Sequence, residues 1–127
     1  MKIEVSNGEV VDKITILRIK ADQINDPDKK TNVQKELSTL EEQASELLNV
    51  VKGEYIETYL KLYATNRVLW GVGDELRELE AKNDFSETFI QRAREVYTLN
   101  DERSRLKKEI NLVTGSKLVE EKSYKHL

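Results

Sequence analysis

From Val33 to Val51 the apolar residues Val33, Leu37, Leu40, Ala44, Leu47 and Val51 return at spacings of four, three, four, three and four. Only an α-helix brings such positions onto one side, so this stretch is a heptad seam around which the other elements are read. Asp26 and Pro27 stand just ahead of it, a carboxylate suited to the N-cap and a ring suited to the first helical position. Lys52 and Gly53 follow its last apolar residue. The spacing predicts one helix over residues 27–51, about 37 Å long at 1.5 Å per residue.

The helical period extends on both sides. Ser6 and Glu9 have capping-box spacing, which predicts a first helix over 7–24 behind a short extended arm at Met1–Val5. A third helix is expected over 54–82, with Ile56, Tyr59, Leu60, Tyr63 and Trp70 on one face and Gly71 and Gly73 inside. Asn83 and Asp84 break the pattern, and Phe85, Ser86 and Ile90 fit a hydrophobic staple that opens a fourth helix over 87–114, ending at Gly115. Residues 116–127 show no period; Leu118, Val119 and Tyr124 are the groups able to dock this irregular tail on the bundle or the arm. The expected fold is all-α: a single domain over 1–127, built as an antiparallel bundle of four main helices. The high charge content, 35% of the chain, with one Pro and five Gly, suits amphipathic helices. On the first helix Val10, Ile14, Leu17, Ala21 and Ile24 form one stripe, while Ile16 and Ile19 lie opposite with Asp12 and Thr15. A helix apolar on two sides is central or faces a second subunit, and with the heptad seam this makes a homodimer the expected assembly.

Several chemistries are excluded by residue type. The chain has no cysteine and one histidine, His126, the penultimate residue. Thiol catalysis, cysteine-held zinc and a histidine-centred triad therefore fall away, and no catalytic residue, metal ligand or cofactor is expected. Glu41, Glu42 and Glu46, or Glu75 and Glu78, resemble half of the paired acidic motif by which helical nucleotide pyrophosphohydrolases hold magnesium, but no later E-x-x-D completes it. The net charge of −3 argues against a nucleic-acid binder. No apolar stretch approaches the ~18 residues of a membrane span and Met1–Val10 lacks the core of an export signal, so the cytoplasm is the expected compartment.

The informative polar residues are those that take over core-directed positions. On the fourth helix Phe89, Ala93 and Val96 lead into a sector holding Asn100, Arg103, Lys107 and Asn111. On the third, Ile56, Leu60 and Tyr63 lead into Arg67, Trp70, Asp74 and Arg77, with Asn66 at the edge. Asp12 and Lys13 of the first helix can meet both. Several cations in a semi-buried groove favour a small anionic ligand, a phosphate or a carboxylate, with Trp70 as an apolar wall or a stacking surface. The structural alternative makes Asp12 with a Lys or Arg, and Asp74 with Arg67 or Arg77, ion pairs that fix helix register. The basic run Arg103 to Lys108 reads as a solvated face near a helix C-terminus, diluted by Asp101, Glu102 and Glu109. Tyr55, Tyr59 and Tyr63 read as a packing ridge. Two functions follow: a helical interaction or scaffold module without enzymatic activity, or a binding protein or small enzyme for an anionic metabolite.

Ser6-Asn7-Gly8-Glu9, Asp12-Lys13-Ile14-Thr15-Ile16-Leu17 with Ile19-Lys20, Leu69-Trp70 with Asp74, Phe85, Tyr97, Asn100, Leu106-Lys107, Glu109-Ile110-Asn111 and Glu120-Glu121-Lys122-Ser123-Tyr124 together resemble a family of small uncharacterised bacterial and phage proteins. The likeness spans essentially the whole chain and implies no activity. It puts weight on Gly8-Glu9, Asp12-Lys13 and the segment from Asn100 to Asn111. Val11-Asp12-Lys13-Ile14 also looks faintly like the first-helix motif of all-helical chorismate mutases, which would imply a dicarboxylate positioned by Arg and Lys. Of the arginines, however, only Arg18 lies on the first helix.

Overall fold

The computed structural model describes residues 1–123, so Tyr124 and His126 lie outside it. The described chain is all-helical: α1 (Asn7–Gln23), α2 (Pro27–Gln43), α3 (Ser45–Gly53), α4 (Ile56–Ala81) and α5 (Glu87–Val113). Residues 1–6 form neither helix nor strand, and the described segment after α5 is irregular. Among the described residues no helix is long and apolar enough to cross a membrane.

The helix predicted over 27–51 is two helices, which corrects the expected count from four to five. Ala44, in the middle of the seam, leaves helical geometry at φ −105° and ψ 19°. Backbone bonding nevertheless continues through it, Ala44 N–H to Leu40 C=O at 2.8 Å and Leu48 N–H to Ala44 C=O at 2.9 Å. The bend has a packing reason. α2 lies on α1 and buries none of its residues fully, whereas α3 turns onto α4 and sends Leu48 and Val51 into the core. One straight helix does not reach both neighbours.

The other boundaries follow local chemistry. Ser6 caps α1, its Oγ accepting from the Glu9 N–H at 3.1 Å, but the Glu9 carboxylate does not complete the box, because it pairs with Lys107. Asp26 caps α2 by accepting from the Asp28 and Lys29 N–H groups, with Pro27 in the first turn. α4 ends as Asn83 turns to φ +53°, so that the Asp84 N–H reaches the Leu79 carbonyl; α5 ends likewise at Gly115, φ +66°, where the Ser116 N–H reaches Asn111. Ser86 makes no side-chain cap, and Phe85 stands edge-on to Phe89 at 5.3 Å.

Val11, Ile14, Leu48, Val51, Tyr59, Leu62, Leu106 and Ile110 form the core, drawn from α1, α3, α4 and α5. α1 packs against α2, α4 and α5, which explains its two buried sides: Ile14 and Leu17 on one, Asp12, Thr15 and Ile19 on the other. Within the tyrosine ridge Tyr59 is the buried member, its hydroxyl accepting from Arg18 at 2.8 Å.

Candidate functional site

Two polar assemblies and one groove surround α1. The first assembly is centred on Asp12, whose side chain is 1% exposed. Arg103 of α5 grips it with two bonds, Nε to Oδ1 at 2.9 Å and Nη2 to Oδ2 at 2.5 Å. Asn66 of α4 donates to Asp12 Oδ1 and to the Thr15 hydroxyl, both at 2.9 Å, and Thr15 donates back to the Asp12 carbonyl at 2.7 Å. Lys107 stands 4.0 Å from Asp12 and bonds Glu9 at 2.6 Å. Three helices are thus tied through one buried carboxylate, and the Asp12 hydrogen bonds push the Arg103 guanidinium above its ordinary pKa.

The second assembly joins the two ends of the chain. Gly8 donates its N–H to the Asn111 side chain at 2.6 Å, Asn7 N–H reaches Ser116 Oγ at 3.0 Å, and Asn7 Nδ2 reaches Thr114 Oγ1 at 3.0 Å. The bonds from the Gly8 and Asn7 backbones satisfy two of the open N–H groups at the start of α1. Gly8 has no alternative at this position, because a Cβ there would run into the backbone carbonyl of Lys107 and come within 2.9 Å of Asn111 Oδ1. The tail docks through polar groups, not through Leu118 and Val119, which stay exposed.

Glu120 accepts from the buried Ser6 hydroxyl at 2.7 Å and from Asn111 Nδ2 at 3.2 Å. Burial works to raise its pKa, but these bonds, one from its own backbone and the charge of Lys107 outweigh burial and hold it below the usual carboxylate range. A lowered folded-state pKa stabilises the docked tail above the ordinary value, and that contribution disappears as pH falls through the lowered one. Hydrogen-exchange protection of the Asn7 and Ser116 amides, corrected for intrinsic rates, is therefore expected to fall as the medium is acidified below the ordinary carboxylate range. Glu120→Gln should remove that pH dependence; an unchanged profile would count against the clasp.

The groove lies between α1, α4 and α5 and has a volume of about 520 Å³. Ile16 of α1 and Leu69 and Trp70 of α4 form its apolar wall. Asp74 and Arg77 continue along α4, while Asn100 and Arg103 line the groove from α5, Arg103 sharing the Asp12 carboxylate with Asn66 on the other side of Trp70. Arg77 lies back over Gly73, where a Cβ would stand 3.2 Å from its Nη1. Among the described residues no carboxylate lies within ion-pair distance of Arg77, and no cation within that distance of Asp74.

Of the ten residues singled out in the sequence, Trp70, Asp74, Arg77, Asn100 and Arg103 share this groove, and Asp12 stands behind Arg103. The other four point elsewhere: Lys13 to Glu36, Arg67 to Asp22, Lys107 to Glu9, and Asn111 to Gly8 and Glu120. Asn66, at the edge of the sector in sequence, proves to be the link between α4 and Asp12. Glu120 had no periodic signal to reveal it. The basic run is largely neutralised, Arg105 by Glu102, Lys107 by Glu9 and Lys108 by Glu121. Arg18 faces Tyr59 and Glu41, not the groove, so the faint chorismate-mutase likeness finds no cation there from α1. Among the described residues no three His, Asp or Glu side chains gather as a metal site.

Among curated proteins and among solved structures nothing matches the chain. Residues 1–126 match the model of a family described as a family of unknown function, DUF6165, and by that coverage the chain belongs to it.

Proposed function

We propose that the protein is a binding module whose groove between α1, α4 and α5 takes a small anionic metabolite. The observation that carries this reading is the contrast between its two guanidinium groups. Arg103 is held by a buried carboxylate, whereas Arg77 lines the groove with Trp70 and has no carboxylate within ion-pair distance among the described residues. An unpaired guanidinium next to an apolar wall is suited to a phosphate or carboxylate, which it can bind through two parallel bonds. The surrounding amides, indole and guanidinium groups bind and orient; this supports a role without catalysis.

A thermal-shift panel of phosphate, sugar phosphates, nucleotides and dicarboxylates tests the reading. A ligand at 100 times its dissociation constant is expected to add about 2.7 kcal/mol, on the order of 10 °C in Tm for a domain of this size. Arg77→Ala should abolish the shift while leaving the unliganded Tm close to that of the wild type, because Arg77 is exposed. A panel without any shift would contradict the groove.

A scaffold role with self-association is supported by a different observation. α2 buries no residue fully, its seam residues Val33, Leu37 and Leu40 are only half covered, and Ile3 and Val5 stand exposed beside Leu40 and Ala44. A second copy laid along α2 would cover this surface as a heptad pair. Light scattering across micromolar concentrations is expected to show a dimer on this reading, and a monomer throughout would contradict it.

A further inference from the structure

We infer that the ligand of the α1/α4/α5 groove is a nucleoside 5′-monophosphate, an inference that rests on the anion-binding reading above. Trp70, Asp74 and Arg77 follow one another along α4 at steps of four and three, and all three line the groove. At 1.5 Å per residue their Cα atoms are spread over about 10 Å of helix, and Arg77 lies back over Gly73, which brings its guanidinium alongside Asp74 and toward Trp70. The groove thus offers a flat aromatic surface with an acceptor and a cation next to it. A nucleoside monophosphate presents the complementary groups: a planar base, a ribose with two vicinal hydroxyl donors, and a phosphate.

Each match has its own chemistry. An indole stacks on a base whatever its identity. A carboxylate accepts from ribose hydroxyls. A guanidinium gives a phosphate two parallel N–H bonds.

Asp74 is the residue that separates this ligand from simpler anions. A carboxylate one turn from Arg77 opposes a compact dianion such as inorganic phosphate or a short dicarboxylate, but a ribose placed between base and phosphate makes use of it. Beyond Trp70, the amides of Asn66 and Asn100 and the Asp12-held Arg103 lie at the other end of the groove, where donors and acceptors meet the edge of a base. The volume of about 520 Å³ lies within the range of roughly 300–1,000 Å³ typical of small-molecule sites. The cavity beside the tail, about 220 Å³, has no aromatic wall among the described residues, and its Arg105, Lys107 and Lys108 are already paired.

Titration calorimetry on the full chain tests the assignment with adenosine 5′-monophosphate, its 2′,3′-dideoxy form, adenosine, ribose 5-phosphate and inorganic phosphate. The monophosphate is expected to bind tightest, and loss of the base should weaken binding by about tenfold or more. The dideoxy form should bind more weakly than the parent to the wild type but equally to Asp74→Ala, and Arg77→Ala should erase the preference for the monophosphate over adenosine. Both substituted residues are exposed, so these variants retain the fold. Ribose 5-phosphate or inorganic phosphate binding as tightly as the nucleotide would overturn the ligand class and leave the anion groove standing. No binding by any of the anions, or nucleotide binding unchanged in both variants, would overturn the groove as well.

Discussion

Replacing Arg103 by methionine is expected to lower the unfolding free energy by about 3–5 kcal/mol, the range seen when one partner of a buried ion pair is removed. The Asp12 carboxylate, 1% exposed, would lose both of its bonds to Arg103, leaving Asn66 as its side-chain hydrogen-bond donor and Lys107 4.0 Å away. Arg103 itself is 30% exposed, so the penalty arises from the stranded carboxylate and not from the lost cation. Changing both residues, Asp12→Leu with Arg103→Met, should recover most of the loss, because the desolvation of the pair disappears with the pair. Urea denaturation of the two single variants and the double variant closes the cycle. An Arg103→Met protein within about 1 kcal/mol of the wild type would show that Asp12 is not the tie between α1, α4 and α5.

The second large effect is expected at Gly8, where alanine should destabilise by about 2–4 kcal/mol through overpacking and a strained Gly8 to Asn111 bond. The obstacle is the backbone of α5 at Lys107, which cannot swing aside as a long side chain would. The sign is the discriminating point. In an open helix position glycine to alanine stabilises by up to about 1 kcal/mol, and Gly71, with nothing within 4 Å of its Cβ position, provides that control. Thermal denaturation of Gly8→Ala and Gly71→Ala should therefore give shifts of opposite sign. A stabilised Gly8→Ala would mean that α1 and α5 do not approach this closely.

The helices were legible in the sequence because their signals are local. Ser6, Asp26 with Pro27, Asn83 and Gly115 mark helix ends that the structure places within two residues of expectation. The bend at Ala44 was not legible, since alanine is the best helix former and the seam runs through it without a change of period. Only the need of α2 to lie on α1 and of α3 to lie on α4 reveals it. The polar residues show the same division. An angular sector sets Asp12, Arg103 and Arg77 apart from the other polar residues, but shows neither that Arg77 is exposed nor which carboxylate meets which cation. That choice is made by the packing of three helices, which gives Arg103 to Asp12 and leaves Arg77 in the groove. The clasp between Ser6, Asn111 and Glu120 unites residues more than 100 positions apart, one of them in a segment without periodicity, and no local rule finds it.

Asp12, Arg103, Gly8 and Asn111 tie the helices together, and Trp70, Asp74 and Arg77 line the groove proposed to take a ligand. Trp70 is the one tryptophan in the chain, so its indole N–H gives a single nuclear magnetic resonance in the middle of the proposed site. Titrating adenosine 5′-monophosphate into the wild type should move that resonance saturably, and Arg77→Ala should weaken the response while its unliganded spectrum keeps the wild-type fold. An indole resonance that stays fixed throughout the titration, or moves identically in Arg77→Ala, would contradict the assignment of the groove.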